Sequence, residues 1–159
     1  MFQSPVSEPQ IRVDPHGDGH FLAPRSDWKK EDQRFHRGLD LVVVPNEIIM
    51  SPIAGKVVRM AFPYAGDTKW KGLFIKGRYH WVKIFYIQPM DYLVETQVFA
   101  GEVIGVAQDI RDKYDGGMLP HIHLAVMIPP MESLSHDGIL VGNEIYINPE
   151  PLVFTSYGE

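Results

Sequence analysis

Two short motifs contain residues that can bind a metal ion or transfer a proton. In the first, a histidine and an aspartate lie four positions apart around a glycine, His36-Arg37-Gly38-Leu39-Asp40. Gly38 and the apolar run that follows favour a turn leading into a strand over a helix. The second motif, His121-Ile122-His123, places both imidazoles on one face of a strand, since residues two apart point the same way. Paired imidazoles suit a metal or proton-transfer site and fit poorly in an apolar core.

Two imidazoles and one carboxylate form a ligand set that suits zinc. This set leaves the fourth tetrahedral position for water, which is typical of catalytic rather than structural zinc sites. Zinc held in this way lowers the pKa of its water to about 7 and polarises a carbonyl group. Because zinc bonds to both ligand types are about 2.0–2.2 Å long, the two segments must lie side by side in the fold.

Neither motif is decisive alone. A histidine and an aspartate four apart often occur by chance, and a histidine pair on a strand can be satisfied by other polar partners. Both motifs in this order, each opening an apolar strand, favour a metal site. We expect His16 and His20 in a solvated turn, with a fold-back of either over the site as the alternative. His80 and His136 lack a partner pattern, so we expect them at surface or satisfied polar positions.

The elements that must position these motifs have the pattern of short antiparallel strands. From Leu39 onward, runs rich in Val, Ile, Phe and Tyr alternate with Gly, Pro and Asn, and no window keeps a helical period over three turns. The predicted strands are Leu39–Val44, Gly55–Ala61, Gly72–Gly77, His80–Ile87, Glu102–Gln108 and His121–Ile128. Predicted surface loops span Asp109–Leu119 and Pro129–Asn143, and a short tail, Asn143–Phe154, closes the domain.

The chain of 159 residues fits one domain with an ordinary core. Residues 1–32 are rich in Pro, Gly, Asp and His, which predicts an irregular N-terminal arm packed on or preceding a single zinc domain at residues 33–159. We therefore predict a mainly β fold with an antiparallel sheet core and long loops.

The composition excludes several classes of protein and of site. With 45% hydrophobic and 22% charged residues, the chain is neither disordered nor a membrane protein, and a net charge of -5 disfavours general nucleic-acid binding. Zero cysteines exclude a disulfide scaffold, a thiolate zinc site and a cysteine nucleophile. The sequence starts without the basic and apolar regions of a secretory signal, so we expect synthesis in the cytoplasm.

The motifs resemble those of the M23 (lysostaphin-like, LytM-type) zinc metallopeptidases, which cleave peptide cross-bridges in bacterial peptidoglycan. The likeness covers about Phe35 to Leu152 and includes four segments in the family's order. They are His36 to Asp40 (H-x-G-x-D), Ser51 to Val58 (A-P-x-x-G-x-V), Val98 to Gly105 (V-x-x-G-x-x-I-G) and Asn148-Pro149 (the closing D-P). The P-H-x-H motif matches Pro120 to His123.

The chain is also similar to the leukocyte cell-derived chemotaxin branch of this family. Asp14 to Phe21 resembles that branch's H-G-C-G segment, and Val82 to Pro89 resembles its V-K-M-F-Y-I-K-P segment. That branch is cross-linked by disulfides, whereas this chain has no cysteine, so its fold must depend on the hydrophobic core alone.

The resemblance implies a role for each motif residue. His36, Asp40 and His123 would be zinc ligands, and His121 would be the imidazole that acts on water or steadies the oxyanion. Active members have a further catalytic histidine in a Y-x-H segment, and Gln88 stands at that position here. A glutamine can donate a hydrogen bond but cannot shuttle a proton near neutral pH.

Two functions are compatible with a glutamine at position 88. One is a zinc-dependent peptidoglycan endopeptidase assisted by His121, with Gln88 as an oxyanion donor. The alternative is a non-catalytic zinc module that binds cell-wall peptide or a protein partner. A peptidoglycan target without an export signal predicts delivery by a phage particle, by lysis or by dedicated secretion, with a virion assembly partner in the first case. We expect neither nucleic acid nor a membrane as a partner.

Overall fold

The computed structural model describes residues 1–25, 34–114, 116–129, 139–141 and 144–156. Short strands in and directly after the arm are β1 (Val13–Asp14), β2 (Gly17–Asp18), β3 (Pro24–Arg25) and β4 (Arg34–Phe35). The next strands are β5 (Leu39–Val42), β6 (Ile48–Met50), β7 (Gly55–Ala61), β8 (Gly72–Lys76), β9 (Trp81–Phe85) and β10 (Ile87–Pro89). The last strands are β11 (Gln97–Val98), β12 (Val103–Ala107), β13 (His121–Ile128), β14 (Ile139–Val141) and β15 (Glu144–Ile147), and one helix, α1 (Glu150–Ser156), follows them.

The largest sheet is antiparallel and has β13 near its centre. Its strands follow the order β11-β7-β8-β9-β13-β15-β14, and β5 pairs with β13 beside the site. The alternation predicted for β13 is confirmed, because Ile122 and Leu124 are fully buried in the core while both histidines face the other way. The predicted mainly antiparallel β fold is therefore present.

A smaller sheet, ordered β10-β12-β6, completes the packing. The core joins inward-facing residues of both sheets, among them Val57, Leu73, Ile84, Ile49, Ile104 and Ile122. Burying each such side chain contributes about 1.5–3 kcal/mol relative to leaving it exposed. A core of this size stabilises the fold without disulfides.

Two parts of the strand prediction need correction. The predicted strand His80–Ile87 is two strands, because Tyr86 takes a φ of 69° and turns the chain from the large sheet into the small one. The predicted loop Pro129–Asn143 contains β14, since the apolar run Ile139–Val141 pairs with β15. Most of that loop, including His136, lies outside the described residues.

The N-terminal arm is hydrogen-bonded to β5 and contains one small hairpin, β1-β2, while its strand β3 pairs with β4. Backbone hydrogen bonds run from Arg12 N to Asp40 O at 2.9 Å and from Asp40 N to Gly19 O at 2.9 Å. A Cβ at Gly19 would lie 2.7 Å from the Cβ of Asp40, so only glycine permits this approach. The arm therefore packs directly behind the predicted ligand aspartate. Among the described residues, no helix is long and apolar enough to cross a membrane.

Candidate metal centre and its two cavities

Strand register brings the two sequence motifs together. His123 of β13 lies directly opposite Asp40 of β5 in the antiparallel ladder, so their side chains share one face. His36 reaches the same point from the turn before β5. Gly38 makes this possible, because a Cβ there would lie 2.5 Å from the Leu124 carbonyl oxygen and 2.7 Å from the His123 ring.

Three potential ligand atoms form a nearly equilateral triangle. His36 Nε2 lies 3.1 Å from Asp40 Oδ1 and 3.0 Å from His123 Nδ1, and the latter two atoms are 2.9 Å apart. A tetrahedral zinc ion with bonds of about 2.05 Å would separate its ligand atoms by about 3.3 Å. The triangle is slightly smaller than this, so the three residues fit a metal ion and can hold one.

The protonation of these groups also suits a cation. His36 Nδ1 donates to the His20 carbonyl oxygen at 2.9 Å, which leaves the Nε2 lone pair facing the triangle. Burial raises the pKa of Asp40, but the contacts with His123 and His36 outweigh it and hold that pKa well below its usual range. The triangle therefore consists of an anionic oxygen and imidazole nitrogens, the ligand types that zinc prefers.

Arg12 of the arm is a buried partner of the metal centre that the sequence analysis missed. Its Nε and Nη2 both donate to Asp40 Oδ2 at 3.2 Å, while Nη1 donates to both oxygens of Asp14 at 2.9 Å. The guanidinium thus occupies one oxygen of Asp40 and leaves Oδ1 for the triangle. No signal in the Pro- and Gly-rich arm distinguishes Arg12 from a surface arginine.

His121 lies beside the triangle and is buried. Its Nδ1 donates to the Leu119 carbonyl oxygen at 2.8 Å, so the unprotonated Nε2 faces the site, 3.8 Å from Asp40 Oδ2. Burial lowers the pKa of His121, and the opposing effect of Asp40 is smaller. Asp14 fixes the same loop by accepting the N–H of Leu119 at 2.8 Å, so the arm supports both Asp40 and His121.

A cavity of about 340 Å³ opens onto the triangle, and we name it the tyrosine cavity. It is lined by Arg12, His36, Asp40, Pro63, Tyr64, Phe85, Tyr86, Ile110, Tyr114, Met118, His121 and His123. Three of these tyrosines form a hydroxyl row: Tyr114 donates to Tyr64 at 3.0 Å, and the Tyr64 and Tyr86 hydroxyls are 3.0 Å apart. Burial is the main cause that raises the pKa of Tyr64, and the nearby Tyr86 hydroxyl adds to it, so the Tyr64 hydroxyl stays protonated.

Gln88 is outside this lining. It is exposed on β10, pairs in register with Val106 of the small sheet, and its Oε1 lies 3.5 Å from Lys71 Nζ. Tyr86, two residues earlier, faces the cavity instead, with its ring edge-on to His121 at 5.4 Å. The bend at Tyr86 explains why Tyr86 and not Gln88 faces the cavity, since it moves the residues after Tyr86 into the small sheet.

The other described histidines, His16, His20 and His80, are not part of the tyrosine cavity's lining. His20 contributes its carbonyl oxygen to His36, while its imidazole contacts Asp18 and lies 3.5 Å from Glu150. The His16 ring packs near Tyr114 at 6.5 Å, and His80 packs against Phe2 at 5.9 Å.

A second cavity of about 320 Å³ lies on the other side of His123, and we name it the cationic cavity. Its lining consists of Phe35, His36, Arg37, Lys83, Phe85, His123, Ala125 and Tyr146. Phe85 stacks on His123 at 5.8 Å with an interplanar angle of 16°, and the two rings form a ridge between the cavities. The metal centre is therefore open on two sides.

Comparison with known proteins places this chain in a family. Leukocyte cell-derived chemotaxin-2 of Mus musculus is 31% identical over 120 residues, which cover 74% of each chain. The chain belongs to the M23 (lysostaphin/LytM-like) metallopeptidase family, in its chemotaxin-2-like branch. No protein-family model matches the chain.

Solved structures with the M23 fold are more distant in sequence. The solution structure of lysostaphin has a TM-score of 0.61 and 16% identity, covering 96% of this chain and 54% of lysostaphin. A zinc-containing peptidase from Vibrio cholerae has a TM-score of 0.57 and 21% identity, and the match covers 80% of this chain and 36% of the Vibrio chain. This chain thus spans about half of lysostaphin and about a third of the Vibrio chain, and these likenesses establish the fold as that of a peptidase module.

Proposed function

We propose that this protein is a zinc-dependent endopeptidase that hydrolyses peptide cross-bridges of bacterial peptidoglycan. The main observation in support is the triangle of His36, Asp40 and His123 ligand atoms, which faces a cavity shared with the unprotonated nitrogen of His121. Similarity to the antimicrobial peptidase lysostaphin and to a zinc-containing peptidase supports both the metal and the reaction class.

Different residues of this chain would have different roles around the bound metal. Zinc would supply Lewis acidity to the scissile carbonyl and to water. His121 Nε2 accepts the proton of the attacking water and returns it to the leaving amine, while Nδ1–H stays on the Leu119 carbonyl oxygen. Arg12 keeps Asp40 Oδ1 directed at the metal by holding Oδ2.

The tyrosine row supplies the hydrogen-bond donor that Gln88 is not positioned to give. Because Tyr64 accepts a hydrogen bond from Tyr114, its own hydroxyl proton is available to Tyr86, and the row ends beside His121. Phenolic O–H groups are neutral donors at pH 7 and can stabilise a developing oxyanion. Catalysis by this site would then use one imidazole and one phenol instead of two imidazoles.

The alternative is a non-catalytic zinc module that binds cell-wall peptide or a protein partner. It is favoured by the glutamine at position 88 and by the 31% identity to chemotaxin-2, whose name describes no peptidase. In that role zinc would mainly tie the turn at His36 to β13.

Peptidoglycan digestion separates the two candidates. Purified protein, loaded with one equivalent of zinc, is incubated with sacculi between pH 5 and pH 9, and the released muropeptides are separated by chromatography. We expect release that stops after chelation and is absent in Asp40→Asn, with Asp91→Asn at an exposed position as the control. Zinc-loaded protein that releases nothing at any pH would contradict the enzyme and leave the binding module.

Delivery to the wall by a virion, by lysis or by dedicated secretion stays a prediction. Detection of the protein in purified phage particles by mass spectrometry would support the first route.

A further inference from the structure

The cationic cavity has an unbalanced charge. Its lining contains the two basic side chains Arg37 and Lys83, and no Asp or Glu among the residues that the structure describes. Glu144 approaches Lys83 Nζ from outside, with its oxygens at 3.3 and 3.4 Å, and also accepts the Tyr146 hydroxyl at 2.6 Å. Lys83 is therefore largely neutralised.

Arg37 provides the remaining positive charge. Within the described residues it has no carboxylate partner, and its guanidinium lies over the Tyr146 ring at 5.9 Å. It directly follows His36 in sequence, so the same turn that positions a ligand also positions this cation. In a chain with a net charge of -5, an exposed arginine beside the candidate metal centre is a local reversal of sign.

A planar guanidinium on an aromatic ring is well suited to a carboxylate. Contact with the ring restrains the guanidinium, whose N–H groups can form two parallel hydrogen bonds to a carboxylate's two oxygens. The ridge of His123 and Phe85 separates this position from the tyrosine cavity, so one extended peptide can cross the metal and reach both cavities.

We propose that the cationic cavity binds a carboxylate of the substrate peptide, with Arg37 as its main partner and Lys83 as a secondary one. The proposal rests on the proposed function, because it assumes that a peptide lies across the metal centre. It names the substrate class more closely: peptides that have an acidic side chain or a free α-carboxylate near the scissile bond.

Binding of matched inhibitors tests this assignment without needing turnover. The probes are phosphinic pseudo-tetrapeptides that differ only in Glu or Gln beside the phosphinate, and a second pair differs only in a C-terminal carboxylate or amide. Calorimetry with the zinc-loaded protein gives the two affinities of each pair. We expect about tenfold tighter binding of the charged member of one pair, and that pair identifies whether a side chain or a terminus is bound.

Variants assign the preference to Arg37. In Arg37→Gln the preference should fall below twofold at unchanged zinc content, while Arg37→Lys keeps part of it. Arg78→Gln is the matched control, because Arg78 also lies over a tyrosine, at 5.4 Å, but lines a different, mostly apolar cavity. Glu144→Gln should act in the opposite direction and strengthen the preference, since it releases Lys83.

The possible failures are distinguishable. Equal binding of both members of each pair, or a full preference in Arg37→Gln, would overturn the carboxylate site and leave the endopeptidase intact. If none of the phosphinates bound to zinc-loaded protein, the peptide site itself would be contradicted, and the proposed function with it.

Discussion

The two cavities that meet at the His123–Phe85 ridge differ in chemistry although they share strands β9 and β13. The tyrosine cavity contains an unprotonated imidazole and three neutral hydroxyls, whereas the cationic cavity contains Arg37 and Lys83. Groups that accept or donate a proton in place suit bond cleavage, and exposed cations suit recognition of charge. Within the proposed function, one side performs the reaction and the other selects the peptide.

Backbone geometry is the origin of this difference. On the flat strand β9, Lys83 points to the same face as His123 by simple alternation. At the end of that strand, Tyr86 takes a positive φ and turns toward His121. Residues with such strained backbones cluster at functional sites, which agrees with a catalytic role for the tyrosine cavity.

The largest effect that separates the cavities is expected from Tyr86→Phe. The variant keeps the ring against His121 and removes one hydroxyl, so muropeptide release should fall about 100-fold at full zinc content. The Glu over Gln preference of the phosphinates should stay unchanged. Tyr92→Phe, at an exposed position 70% accessible to solvent, is the control. An unchanged rate in Tyr86→Phe would mean that the hydroxyl row takes no part in the reaction.

A smaller effect is expected at Arg12, which supports Asp40 from the side of the tyrosine cavity. Arg12→Met leaves Oδ2 of Asp40 without its donors, so zinc affinity should fall about tenfold to 100-fold, measured by competition with a chelator. The visible spectrum of the cobalt-loaded protein should also change, because Asp40 is then able to bind through both oxygens. Arg12→Lys should restore part of the affinity.

The matched control is Arg111→Met, since Arg111 is exposed and pairs with Asp109 two residues away. The role of Arg12 would be refuted by a variant with wild-type zinc affinity and an unaltered cobalt spectrum.

The smallest effect is expected from Gln88→His. The family resemblance alone predicts a large gain in hydrolysis from restoring this histidine. Because Gln88 is exposed and outside the cavity lining, we expect a change of less than twofold in muropeptide release. A gain of tenfold or more would place position 88 in the site and remove the need for the tyrosine row.

Local patterns were sufficient to predict much of the metal centre. Alternation in β13 separates His121 and His123 from the buried Ile122 and Leu124, and this period is visible in the sequence. Gly38 marks the close approach of the turn to His123. Each of these signals spans only a few residues, which is the range over which sequence patterns specify structure.

The support of Asp40 and the tyrosine row depend on contacts that no local sequence pattern encodes. Arg12 meets Asp40 across 28 positions, through an arm whose path is set by loops. Tyrosine has no preference for positive φ, so the apolar alternation continues through Tyr86 and predicts one strand instead of two. Tyr64 and Tyr114 lie 50 positions apart and are joined only by the fold.

The choice between enzyme and binding module depends most directly on His121. In His121→Ala the triangle of His36, Asp40 and His123 remains, so we expect full zinc content, with muropeptide release reduced 10²- to 10⁴-fold. His80→Ala, which alters a histidine packed against Phe2, should release muropeptides at the wild-type rate. Wild-type turnover by zinc-loaded His121→Ala would contradict the assignment of His121 as the proton acceptor on which the proposed mechanism depends.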